Sequence, residues 1–336
     1  MRTIAWREEK HGAITLLDQR LLPAQATEMV ITDYKELIFA IKELAVRGAP
    51  ALGVAGALGV ALIARSAERE SWSSELRAQA ITELRLARPT AVNLAWGVDQ
   101  VLSLLSQGSD AVLKRALEIA DEDARNNRAM GKRGADYLLA KTGKSKLRIL
   151  THCNTGALAT TEWGTAFGVI RELHERGAII EVFADETRPL LQGSRLTAWE
   201  LSEAKIPYRI LPDGAAASAL FSGAIDAVLI GADRIARNGD SANKIGSLGV
   251  AVAASQVGVP FLVVAPESTV DRSLETGAEI EIEFRGDKEV THFAGKEVAP
   301  HGSRTYNPAF DVTPARYIAA VVTEANVYEV SNGVTL

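Results

Sequence analysis

The chain reads as an α/β protein, with a Rossmann-like parallel-sheet C-terminal domain preceded by a smaller N-terminal domain of short strands and helices. Three observations carry that reading. From residue 147 onward, short runs rich in Val, Ile and Leu alternate with stretches of helical periodicity. Repeated βαβ units of this kind imply a parallel sheet with helices on both faces. Before that point, residues 3–32 show brief apolar runs broken by turn residues, and helical spacing dominates 33–141. Finally, 336 residues suffice for two domains, expected at 1–141 and 147–336 with Thr142-Gly-Lys-Ser-Lys146 as linker.

Composition narrows the function. Hydrophobic residues make up 47% and charged residues 24%, the balance of a soluble globular protein. Lys plus Arg count 37 against 42 Asp plus Glu, a net charge of -5, so no basic footprint for nucleic acid is present. The single cysteine, Cys153, excludes an intramolecular disulfide and a Cys-rich zinc site, and it fits a reducing compartment. MRTIAWREEKHG lacks the apolar centre of a secretory signal, and no uninterrupted apolar stretch is long enough to span a bilayer. The expected location is cytoplasmic, with no membrane partner. The five histidines are too scattered to form a metal-ligand set, so no metal is expected.

In chain order, residues 3–32 predict two or three short strands. Asp33 then caps a helix that carries Leu37, Ile38, Ile41, Leu44 and Ala45 inward and stops near Arg47. RGAPALGVAGALG, beginning at Arg47, leads into an apolar helix through about Ala64. Its glycines allow close backbone approach, either to another helix or to a ligand. Arg47 places a bidentate anion binder beside the N–H groups of a helix start. A helix over 74–87 ends at Arg88-Pro89-Thr90, and a further one begins there with Val92, Leu94, Ala95 and Val98 inward. Arg88 alone reads as a structural junction residue. Two long helices are predicted next, at 110–126 and 129–141.

In the second half, strands are predicted at 147–151, 178–184, 208–211, 227–230 and 261–265, with helices at 160–176, 194–205, 214–222 and 244–256. An acidic alternating stretch, EIEIEF, and a terminal helix over 313–326 follow. No G-x-G-x-x-G follows the first strand and no G-x-x-x-x-G-K-[ST] occurs, so no nucleotide cofactor is expected.

Three predicted strand ends carry polar clusters: Thr151-His-Cys-Asn-Thr-Gly156, Asp185-Glu-Thr-Arg-Pro-Leu-Leu-Gln-Gly193, and Gly231-Ala-Asp233 with Asn243-Lys244. Parallel α/β sheets bind ligands outside the carboxyl ends of their strands, so all three should face one crevice. Cys153, read at a helix start beside His152, is either a small buried apolar group or a thiol activated by the helix dipole and a nearby imidazolium. His152 is expected to pack or to donate a hydrogen bond rather than form a dyad with Cys153, because sequence neighbours at a strand end point in opposite directions. Asp233 is either a turn cap or a partly desolvated acid. Gln192, Asn243 and Lys244, taken with Arg47, offer amide and cationic groups suited to a sugar phosphate.

At these residues the sequence resembles the methylthioribose-1-phosphate isomerases. RGAPALGVAGALG, ARPTAVNLAW, THCNTGALAT, ADETRPLLQGSRLTAWEL, GADRIARNGDSANKIG, PFLVVAPESTVD and YNPAFDVTP match successive family motifs from Arg47 to Pro314. The resemblance implies a small N-terminal domain, a Rossmann-like domain and a homodimer. It also implies conversion of 5-methylthioribose 1-phosphate to 5-methylthioribulose 1-phosphate in methionine salvage. Carried over by residue, it implies Cys153 and Asp233 as catalytic residues, with Arg47, Gly48, Ala49, Arg88, Gln192, Asn243 and Lys244 as substrate contacts. The departures, Gly246-Ser-Leu-Gly249 and Ile282-Glu-Phe-Arg285, leave the catalytic pair intact. Related alternatives are isomerases of 5-deoxyribose 1-phosphate or ribose 1,5-bisphosphate, and non-catalytic regulatory subunits of a translation-initiation exchange factor.

Overall fold

The computed structural model describes residues 2–8, 11–89 and 91–336. It divides into two compact units: 1–128 with 155–164, and 129–154 with 165–336. In the first unit, β1 (Ile4–Arg7), β2 (Ala13–Leu17) and β3 (Glu28–Ile31) form an antiparallel sheet in that order. Asp33 caps α1 (Tyr34–Lys42) by accepting from the Lys35 N–H at 2.7 Å. This helix stops short of the expected Arg47 because Leu44 turns left-handed, with φ 60°.

The Gly- and Ala-rich segment forms α2 (Ala49–Glu70), whose residues 51–64 are all buried. It is long and apolar enough to cross a membrane, contrary to the expectation from sequence, yet 83% of its most apolar window is buried as a core helix. Two of its glycines make room for a neighbour. After α3 (Ser74–Arg85), α4 (Val92–Asp99) lies so close to α2 that a Cβ on Gly97 would stand 1.9 Å from the Gly53 carbonyl oxygen. One on Gly56 would stand 2.6 Å from that of Leu94. Helix packing, not a ligand, explains Gly53 and Gly56. Val92, expected inward, is exposed, and Asn93 takes the buried position beside Leu94. Thr90 lies outside the described residues. The two helices expected over 110–141 are one, α5 (Ser109–Thr142), since no Gly, Pro or capping signal between Asn126 and Ala129 is strong enough to interrupt it. The boundary between the two units falls within α5.

The second unit continues with β4 (Leu147–Thr151), α6 (Ala166–Glu175), β5 (Ile179–Asp185), α7 (Ala198–Glu203), β6 (Tyr208–Leu211), α8 (Ala216–Phe221) and β7 (Ala227–Ile230). A hairpin of β8 (Arg234–Ala236) and β9 (Ser241–Lys244) precedes α9 (Ser247–Gln256), β10 (Phe261–Val264) and β11 (Val270–Asp271). Then come α10 (Lys288–Thr291), β12 (His292–Phe293), β13 (Lys296–Glu297), β14 (Phe310–Thr313), β15 (Ala320–Val322) and β16 (Val327–Tyr328). The main sheet has the order β16-β15-β10-β7-β4-β5-β6 and is parallel except for β16. Its chain starts in the middle at β4, runs outward through β5 and β6, then returns to β7 on the other side of β4. The order therefore reverses between β4 and β7. Alternate strand residues supply two cores: Ile149, Val182, Leu229 and Leu262 face α5, α6 and α7, whereas Leu150, Phe183, Val228 and Val263 face α8 and α9. A smaller sheet has the order β11-β8-β9-β14.

Several expected helices change. The first starts at Ala166 rather than 160, and the one expected at 194–205 opens with a π-helical turn, Gly193–Thr197. The one expected from 244 begins at Ser247, because Lys244 ends β9. No α-helix covers 313–326: after a 3₁₀ turn at Ala315–Tyr317 that segment forms β15 and approaches β16, its short apolar run being buried against β10 in parallel register. EIEIEF forms no strand beyond an isolated bridge from Phe284 to Pro308.

Candidate active site

The crevice follows from the sheet order. In register, Thr151 of β4 pairs with Leu229 of β7 on one side and Ala184 of β5 on the other. The chain therefore leaves three neighbouring strands at one level, into His152-Cys153-Asn154, into 186–193 and into Gly231-Ala-Asp233. The gap between β4 and β7 is the topological switch point, where open α/β sheets hold ligands. Cys153 and Asp233 follow the two strands that flank it.

Cys153 is 7% exposed and sits in the left-handed region at φ 63°. No helix begins there, contrary to expectation; a short 3₁₀ turn, Ala157–Ala159, starts four residues later. The Cys153 N–H donates to Thr187 Oγ1 at 2.9 Å, and its carbonyl accepts from Thr197 Oγ1 at 2.6 Å. Thr187 and Leu191 in the facing loop also have positive φ, 64° and 59°. Such strain persists only where the surroundings over-determine it, and here it gathers around one crevice. Gln192, buried between Leu191 and Gly193, has a side-chain oxygen with no hydrogen-bond partner among the described residues.

Asp233 is half-buried, and its N–H donates to the Ala242 carbonyl at 2.9 Å, which brings it beside Asn243. Asn243 is buried and donates to Ser247 Oγ at 2.8 Å. The Lys244 ammonium lies 4.7 Å from the centre of the Phe310 ring. Asp311 holds the start of α9 by accepting from the N–H groups of Gly246 at 2.8 Å and Leu248 at 3.1 Å. Burial pushes the Asp311 carboxyl up despite those two bonds.

His152 donates no dyad bond to Cys153. Its Nδ1 faces Asp185 Oδ2 at 2.9 Å and its Nε2 faces the Ile245 carbonyl at 2.8 Å. Burial disfavours a charged imidazole, but the adjacent Asp185 outweighs it and pushes His152 up. Burial also pushes the Asp185 carboxyl up, although the adjacent imidazole works against that shift. Asp213 lies near both residues and accepts from the N–H groups of Thr187 at 2.7 Å and Arg188 at 2.6 Å. Both nitrogens of His152 and both oxygens of Asp213 are thus engaged in fastening the loops together.

Arg47, Gly48, Ala49 and Arg88 belong to the first unit. Gly48 has φ 96°, and a Cβ there would stand 2.5 Å from the backbone of Ala159, so this position requires glycine. Ala49 opens α2, whose first turn has no side-chain cap. Arg47 is half-buried just ahead of it, and Arg88 is half-buried in the turn between α3 and α4. The residues that sequence reasoning overlooked are Thr187, Thr197 and Asp311. Thr187 and Thr197 lie in or just beyond a flagged cluster, but nothing in their type separates them from ordinary turn threonines.

Comparison with known proteins gives the chemistry its context. The model of the initiation factor 2 subunit family matches residues 45–329. A methylthioribose-1-phosphate isomerase from Acetivibrio thermocellus is 45% identical over 94% of this chain and 94% of its own. A probable bifunctional methylthioribose-1-phosphate isomerase/methylthioribulose-1-phosphate dehydratase from Nocardia farcinica is 52% identical over 94% of this chain, which spans 57% of that longer relative. Among solved structures, 5-methylthioribose 1-phosphate isomerase from Pyrococcus horikoshii OT3 superposes with a TM-score of 0.87 at 38% identity, covering 98% of this chain and 92% of that one. A translation initiation factor eIF-2B delta subunit from A. fulgidus gives a TM-score of 0.84 at 39% identity, covering 98% and 96%. The chain belongs to the initiation factor 2 subunit family and, within it, to the methylthioribose-1-phosphate isomerases.

Proposed function

We propose that the chain converts 5-methylthio-α-D-ribose 1-phosphate to 5-methylthio-D-ribulose 1-phosphate in methionine salvage, with Cys153 and Asp233 as its catalytic pair. One observation carries the assignment of the pair: these residues follow the two strands that flank the switch point of the parallel sheet. Arg47, Gly48, Ala49, Arg88, Gln192, Asn243 and Lys244 serve as substrate contacts, the cations for phosphate and the amides for sugar hydroxyls. The catalytic domain is 147–336, preceded by the N-terminal domain 1–141. The family resemblance supports a cytoplasmic homodimer that works without a cofactor and has no nucleic-acid or membrane partner.

The substrate sets the chemical problem. Its anomeric oxygen carries the phosphate, so the ring cannot open to a free aldehyde on its own. Asp233 donates a proton to the ring oxygen as the C1 to ring-oxygen bond breaks, and it later recovers a proton from the C2 hydroxyl as that carbon becomes a ketone. Arg47, Arg88 and Lys244 hold the phosphate, whose negative charge offsets the positive charge that develops at C1. Hydrogen then moves from C2 to C1 by one of two routes. In one, the Cys153 thiolate removes the C2 proton to leave an enol and returns it to C1. In the other, hydride passes directly and Cys153 lines its path.

The test is turnover of 5-methylthioribose 1-phosphate beside 5-deoxyribose 1-phosphate and ribose 1,5-bisphosphate. A clear preference for the methylthio sugar supports the proposal, and preference for another sugar reassigns the substrate. Inactivity on all three favours a regulatory subunit, a reading supported by the likeness to the A. fulgidus protein.

A further inference from the structure

The loops that surround Cys153 carry more hydrogen bonding than a turn requires. The peptide N–H of Cys153 donates to Thr187 Oγ1, and that hydroxyl in turn donates to the Asp185 carbonyl at 3.0 Å. On the other side, Thr197 Oγ1 donates to the Cys153 carbonyl and accepts from Asn154 Nδ2 at 3.2 Å. Asn154 donates in turn to Glu200 Oε2 at 2.7 Å. Thr187, Thr197 and Glu200 are at most 2% exposed, so water does not compete for these bonds.

The backbone shows what the bonds oppose. Cys153 and Thr187 both lie in the left-handed region, and a β-branched residue is a conformational outlier there. Thr197 ends a π-helical turn, an interruption that is frequent at functional sites. Strain of this kind holds only where neighbouring bonds fix it.

Building on the isomerase assignment above, we propose that Thr187 and Thr197 are positioning residues, whose hydroxyls clamp the two peptide groups of Cys153 and so fix where its sulfur points. Neither hydroxyl needs to touch the substrate. Loss of a clamp lets the residue relax toward ordinary φ and swings the thiol away from C1 and C2. Misplacement by about 1 Å costs on the order of 100-fold in rate.

The test compares Thr187→Val, Thr187→Ser, Thr197→Val and Thr197→Ser in the full chain. Valine keeps the shape and removes the hydroxyl, whereas serine keeps the hydroxyl. The valine variants should lose about 10- to 100-fold in kcat with KM within about threefold, and the serine variants should stay within about threefold of wild type. Iodoacetamide labelling supplies a readout independent of turnover, because Cys153 is the only cysteine in the sequence. Its rate should rise at least about fivefold in the folded valine variants, as local opening exposes the thiol, and remain near wild type with serine.

The proposal is overturned if both valine variants keep wild-type kcat, or if the serine variants lose as much as the valine ones. Should the wild-type chain prove inactive on this sugar, the isomerase assignment fails separately. Labelling then decides alone, and equal rates in wild type and the valine variants reject the clamp. If a valine variant does not fold, the other threonine's pair supplies the comparison.

Discussion

His152 Nδ1 and Asp185 Oδ2 meet at 2.9 Å, and both side chains are fully enclosed at the carboxyl ends of adjacent strands. The contact ties the residue before Cys153 to the last residue of β5, just ahead of the facing loop. With Ile245 bonded to the other ring nitrogen, one imidazole joins three of the segments that build the crevice.

This pair should make stability depend on pH. The folded imidazole keeps its proton to higher pH than an unfolded one, so its contribution is complete below about pH 6.5 and is lost as pH rises through the folded value. The raised Asp185 carboxyl acts in the same sense from about pH 4 upward. Tm should therefore fall as pH rises above about 6.5. In Asp185→Asn the amide donates to a neutral ring and that part of the fall disappears; an unchanged slope would refute the assignment. Asp185→Ala leaves a buried nitrogen without its partner and should cost about 3 kcal/mol in urea unfolding.

Gly193 should tolerate no side chain. A Cβ there would stand 1.6 Å from the Asp185 carbonyl oxygen, a backbone atom that cannot swing aside. Gly193→Ala should lose about 3 kcal/mol in chemical unfolding and most of its turnover, since Thr187 and Gln192 must shift with the loop. A variant with wild-type stability would show that the loop closes in another way.

At the opposite end of the strands, Asp226 is buried beneath Lys144 at 2.6 Å and Arg148 at 3.1 Å. Burial disfavours its charge, but the bonds from Arg148 and Lys144 outweigh it and hold the carboxyl below the usual range. Its contribution is present above about pH 3.9 and lost as pH falls through the folded value. Asp226→Asn should cost about 1–3 kcal/mol near neutrality, flatten acid unfolding below about pH 4, and leave kcat unchanged. Reduced kcat in the folded variant would count against the location of the site.

The fate of the C2 hydrogen separates the two isomerisation routes. With substrate deuterated at C2 and turnover in ordinary water, a hydride shift keeps the label at C1 of the product. A Cys153 proton shuttle open to solvent loses it. Mass spectrometry of the product reads the difference directly.

Much of this architecture is legible in the chain. The strands at 147–151 and 227–230 match their apolar runs end to end, because a central strand covered on both faces has few other ways to be written, and the half-exposed edge strand at 208–211 matches as well. Their polar endings mark the crevice for the same reason. The segment 313–326 reads as helix from sequence because a short apolar run has no period that separates strand from helix. Only its parallel partner β10 decides it. Lys244 likewise belongs to a strand through pairing with Phe310, far away in sequence. Thr187 and Thr197 gain their importance from backbone torsion and contacts across the crevice, neither of which is written locally.

The most direct measurement is steady-state turnover of 5-methylthioribose 1-phosphate by wild type, Cys153→Ala and Asp233→Asn, each first shown to be folded. Wild type should be active, and each variant should lose about 100- to 10,000-fold in kcat, the scale of a positioned proton-transfer group. Either variant remaining within about tenfold of wild type would contradict a catalytic pair at the switch point.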